Sequence, residues 1–67
     1  MTRYFLKSYL VGNQIKIADF ARLLDISRQH LSGLFSGKSR PAPTLAKRIS
    51  RLTGLKFEEI LFGKNEK

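Results

Sequence analysis

The chain has 67 residues, 13 of them Lys or Arg against five Asp or Glu, with one His and no Cys, and a formal net charge of +8. A chain this short buries only about 60% of the surface its unfolded form exposes. Without cysteine it has neither disulfides nor a thiolate metal site to compensate, so it must rely on a compact apolar core. Its 42% hydrophobic content is too high for a disordered basic tail, and apolar runs of only about three residues exclude a membrane span.

The first helical signal follows Thr2, a side chain suited to an N-cap, with Phe5, Leu6, Tyr9 and Leu10 forming one apolar stripe that should end at Gly12-Asn13. Charge returns at Lys7, before the apolar stretch of a signal peptide could form, so a cytoplasmic protein is expected. A second helix is predicted from about Ile17 to Asp25. Phe20, Ala21 and Leu24 lie on one face, and Asp19 sits in the first turn, where the helix dipole favours a carboxylate.

A third helix should start at the N-cap Ser27, place Leu31, Leu34 and Phe35 inward, and close at Gly37. The segment from Lys38 to Pro43 cannot continue a helix, because its prolines lack a donor and push their predecessors toward extended conformations; it reads as a basic loop. Pro43 can open a fourth helix with Leu45, Ala46, Ile49 and Leu52 inward and Gly54 just past its end. A short fifth helix from about Phe57 to Leu61 brings Phe57, Ile60, Leu61 and Phe62 ahead of Gly63. These are more apolar side chains than so small a core requires, and some of them are expected at a dimer interface. No strand alternation is visible, so the expectation is an all-α domain over residues 1–63 with a polar tail at 64–67.

The charge is unevenly placed. Between Asp25 and Glu58 lie Arg28, Lys38, Arg40, Lys47, Arg48, Arg51 and Lys56 and no carboxylate, which points to a polyanion as partner. Lys47, Arg48 and Arg51 read most simply as a solvated helix face that still contributes to electrostatic steering. His30 has no second His, no Cys and no clustered carboxylates with which to complete a metal or catalytic site; neither a metal nor a cofactor is expected, and an enzyme is a remote reading.

Two short helices joined by a tight turn, the second opening on Ser27, Arg28, Gln29 and His30, have the spacing of a helix-turn-helix. The run from Ile17 to Gly37, with its Phe20-Ala21 pair, the Leu24 and Ile26 bracket around the turn and the later Ala46, Ile49 and Thr53-Gly54, resembles the Cro and repressor-type (XRE-like) family of phage and bacterial regulators. The sequence departs from that pattern where Asp25 replaces a usual glycine, Ile17 a frequent glutamine and Ala42 a capping serine.

The resemblance implies a lambda-repressor-like bundle of about five short helices whose third helix enters the major groove of double-stranded DNA. It implies base readout by Arg28, Gln29, Ser32, Gly33 and Ser36, with Arg28 suited to guanine and Gln29 to adenine. Gly33 would permit close approach to a base. Phosphates would be held by Ile17 through its main-chain N–H, Ser27, His30, Lys38, Ser39, Arg40 and Thr44, contacts that position without reading sequence. Leu23, off the inward face where the family usually has a polar residue, joins Phe57, Ile60, Leu61 and Phe62 as a possible dimer or partner surface. The implied function is a Cro-like repressor that binds a palindromic operator as a homodimer. The alternatives are the DNA-binding antitoxin of a toxin-antitoxin pair and, from another class, an interaction or RNA-binding adaptor. Against RNA, the aromatic residues fall at core positions rather than on a stacking platform.

Overall fold

In the computed structural model, which describes residues 1–65, the chain forms α1 (Tyr4–Gly12), α2 (Ile17–Leu23), α3 (Arg28–Ser36), α4 (Pro43–Thr53) and α5 (Phe57–Phe62). Local chemistry accounts for most of these boundaries. The Ser27 hydroxyl accepts the His30 N–H at 2.9 Å and so caps α3, whose far end is Gly37 at φ 85°. Pro43 opens α4 and Gly54, at φ 79°, closes it; Ala42 occupies the N-cap with no side-chain bond to offer. The turn between α2 and α3 passes through Asp25 at φ 59°, the left-handed conformation for which glycine is the usual choice and which Asp tolerates.

The first boundary has a different origin from the one expected. Thr2 does not cap α1, whose N-cap is Arg3 with no side-chain bond to the first turn of the helix. Thr2 instead pairs antiparallel with Lys64: the Thr2 N–H donates to the Lys64 carbonyl at 2.9 Å and the Lys64 N–H to the Thr2 carbonyl at 2.8 Å. Lys64, placed by its polarity in a tail, is further held by a 2.6 Å ion pair with Glu59 and lies 4.8 Å from the centre of the Phe5 ring. The last part of that tail, residues 66 and 67, lies outside the described residues.

α1 and α2 both pack on α3, and α5 packs on α4. The enclosed core is built from Leu6 and Leu10, from Phe20, Ala21 and Leu24, from Leu31, Leu34 and Phe35, and from Ala46, Ile49 and Ile60. Leu52, expected inward, is 49% exposed. The stripe of α4 centres on Ile49, so Leu52 falls at its edge, while Thr53, four residues beyond Ile49, turns inward and donates its hydroxyl to the Ile49 carbonyl at 2.8 Å. Among the described residues no helix is long and apolar enough to cross a membrane.

Candidate nucleic-acid interface

α3 stands as a ridge between two shallow grooves. One groove is lined by Lys7 of α1, by Lys16, Ile17 and Ala18 at the start of α2, and by Arg28, Gln29, Ser32 and Phe35. The other is lined by Ser27, Gln29, His30, Ser32, Gly33, Ser36, Lys38 and Ser39. Gln29 and Ser32 line both, which makes them the crest. Arg28 leans toward α1 and α2, whereas Gly33 and Ser36 face the loop after α3. Arg28, Gln29, His30 and Ser32 are exposed; Gly33 and Ser36 are half-buried.

The expected base-reading residues are thus together on one helix, and Ile17, Ser27, His30, Lys38 and Ser39 flank them. Arg40 and Thr44, though exposed, line neither groove. Lys7 and Lys16 were not among the expected contacts. Each is a lone cation in its own segment, and only the packing of α1 and α2 on α3 brings them to one flank of the ridge. Among the described residues the ion pairs are Asp19 with Arg22 and Glu59 with Lys64, so Lys7, Lys16, Arg28, Lys38 and Arg40 keep their charge unneutralised around α3.

The loop after α3 is folded back against the helix. The Ser39 N–H donates to the Gly33 carbonyl at 3.2 Å, and the Ser36 hydroxyl donates to the same carbonyl at 3.3 Å. These bonds take up the Ser39 main-chain donor and the Ser36 proton, leaving Ser39 its hydroxyl and Ser36 its lone pairs for any outside partner. They also give Gly33 an internal role: a Cβ there would lie 3.1 Å from the Ser39 Oγ.

Behind the loop sits Arg3, 2% exposed and, among the described residues, the buried charged one. Its Nε donates to the Ile60 carbonyl at 2.5 Å, Nη2 to the Leu61 carbonyl at 2.8 Å and Nη1 to the Ser39 carbonyl at 3.4 Å, while its main-chain N–H donates to the Phe35 carbonyl at 2.8 Å. Burial, and secondarily the nearby Arg40 guanidinium, lowers the Arg3 pKa. Its ordinary value is so high that the group stays cationic at neutral pH. Arg3 therefore joins the end of α3, the basic loop and the end of α5. In the sequence it is one of 13 basic residues with nothing nearby to mark it as buried.

A two-helix unit with a tight turn, its second helix exposed between cationic flanks, is the geometry of helix-turn-helix proteins. A family model described as helix-turn-helix matches residues 6–60. The chain belongs to the Cro/XRE-type helix-turn-helix family. No curated protein and no solved structure matches it. Family membership makes it a DNA-binding regulator of the XRE type, with α2 and α3 as the motif and the remaining helices as its support.

Of the residues expected at a partner surface, Ile60 is fully buried and serves the core instead, held there by the packing of α5 on α4. Phe57 and Leu61 are half-buried against that core. Phe62 and Leu23 are the outward members, 65% and 59% exposed.

Proposed function

We propose that this XRE-type regulator is a sequence-specific repressor in the style of Cro, reading a palindromic operator as a homodimer with α3 of each copy in successive major grooves about 34 Å apart. The observation that carries the reading is the ridge itself. The major groove is about 12 Å wide and admits one helix, with a phosphate strand on either side. α3 presents Gln29 and Ser32 at its crest, and cations stand on both flanks, Lys7 and Lys16 on one and Lys38 on the other. Arg28, at the first turn of α3, carries the two parallel donors that match guanine O6 and N7. Ser27, His30, Ser39, Arg40, Thr44 and the Ile17 N–H would hold phosphates, and Ser36 and Gly33 lie along the side of the helix nearer the loop. Phe62 supplies an outward aromatic side chain for a contact between the copies.

The test is a gel-shift competition between random duplex and a palindrome selected from a random pool. The palindrome should win by orders of magnitude. Arg28→Ala should lose about 1 to 3 kcal/mol of discrimination at one base pair per half-site, and Lys38→Ala should weaken all sequences alike. Equal affinity for random and selected duplex would sink the proposal.

A further inference from the structure

A second surface lies apart from the ridge. Leu23, the last residue of α2, is 59% exposed, and Leu52, in the last turn of α4, is 49% exposed. Together with Arg48 and Arg51 they line one shallow depression, and Leu23 also borders an adjoining one with Asp19 and Arg22. None of these residues lines either groove beside α3. The surface is continuous because Arg48 ties its two helices together, donating through Nη2 to the Leu23 carbonyl at 3.1 Å.

The chemistry of the rim selects the occupant. Arg48 and Arg51 line the depression with both leucines, Arg22 borders Leu23, and Asp19 lies 3.9 Å from Arg22 in an exposed pair. Among the described residues no carboxylate pairs with Arg48 or Arg51. A second copy docked through a two-fold axis would bring one arginine-rich rim against the other. A nucleic-acid backbone would match the arginines but would leave two leucines against a charged strand. A helix carrying an apolar face edged by Asp or Glu satisfies both halves: its apolar side chains cover the leucines, and its carboxylates meet guanidinium forks that bind them in bidentate fashion.

We propose that the cleft between Leu23 and Leu52 docks an acidic, apolar-faced helix of another protein. Because the cleft shares no residue with the α3 grooves, the partner can sit there while the chain is on DNA; this last clause rests on the DNA reading above, and the docking itself does not.

The experiment is selection of a displayed library of helical peptides against the full chain. The library has leucines fixed at positions i, i+4 and i+7 and random flanks, and the chain carrying both Leu23→Ser and Leu52→Ser is the control. The control keeps every charge, so it separates docking at the leucines from general attraction to a basic protein. Both substitutions are at exposed positions, and circular dichroism verifies that the control folds. The expected result is enrichment of Asp- and Glu-flanked peptides that bind the native chain at least tenfold more tightly than the control, with amide shifts in NMR centred on Leu23, Arg48, Arg51 and Leu52. Selected duplex DNA should bind both chains within twofold. Failure of the selection, neutral or basic flanks, equal binding to the control, or shifts centred on α3 would overturn the proposal. So would sedimentation showing that the native chain self-associates through this face and the control does not. A loss of sequence-specific DNA binding in both chains would bear on the repressor reading alone.

Discussion

Replacing Arg3 by methionine keeps the length and much of the bulk of the stem while removing every side-chain donor. The two short bonds, at 2.5 and 2.8 Å, go to the carbonyls of Ile60 and Leu61 in the last turn of α5, groups that have no partner within their own helix. Hydrogen bonds from a charged donor contribute about 1.5 to 3 kcal/mol each, and the longer contact to Ser39, at 3.4 Å, adds little. Against this, methionine removes the desolvation cost that lowers the guanidinium's pKa. A net loss of about 2 to 4 kcal/mol is expected, a large share of the roughly 3 to 10 kcal/mol that stabilises a domain of this size.

Urea denaturation followed by far-ultraviolet circular dichroism measures the loss, and Arg3→Lys should fall between the two because an ammonium cannot present the guanidinium's planar fork of donors. The folded chain binds this proton less tightly than the unfolded chain does. The contribution of Arg3 to stability therefore rises with pH, but only in strongly alkaline solution, and the effect of the substitution should be flat from about pH 5 to 9. A loss below about 1 kcal/mol for Arg3→Met would refute the reasoning that its bonds to the Ile60 and Leu61 carbonyls hold the end of α5.

Three further substitutions test local features. Ala42→Ser supplies the missing N-cap of α4 and should raise stability by about 1 kcal/mol in the same denaturation assay; no gain would mean that the N-terminal donors of α4 are satisfied in another way. Asp25→Val places a β-branched residue at φ 59° and should lower stability by about 1 to 2 kcal/mol, whereas Asp25→Asn should be close to neutral in thermal melts. Gly33→Ala sets a helix-propensity gain of about 1 kcal/mol against a 3.1 Å approach to Ser39 Oγ. The gain should emerge more fully when Ser39→Ala is combined with it, and strict additivity in the double-mutant cycle would show that the two sites do not meet.

Features set by near neighbours were legible in the sequence. The Ser27 cap, the Pro43 start and Gly54 stop of α4, the glycine after α3 and the tolerance of Asp25 for a left-handed turn each depend on a few adjacent residues. The same holds for the order of side chains along α3, because helical periodicity fixes it. What escaped depends on distant parts of the chain. Thr2 has the chemistry of a cap but is drawn into pairing with Lys64, and Arg3 is buried because carbonyls 57 and 58 positions away end their helix beside it. Lys7 and Lys16 become relevant to the ridge only once α1 and α2 pack on α3. Ile60 and Phe62, two residues apart in one apolar run, part company as core and surface because a helix this short can turn only one side to α4.

The pairing of Thr2 with Lys64 also bears on the order in which the molecule comes together. Joining groups 62 positions apart confines nearly the whole chain, at an entropic cost of roughly 3 to 4 kcal/mol before any contact rewards it. The α2–α3 unit needs no such closure, since its turn spans a handful of residues and its helices meet as neighbours. Contacts of short range form early and those of long range late. The middle of the chain, which carries α3, can thus take shape before the ends are clasped, and loosening of the clasp can begin at the ends while that helix stays in place.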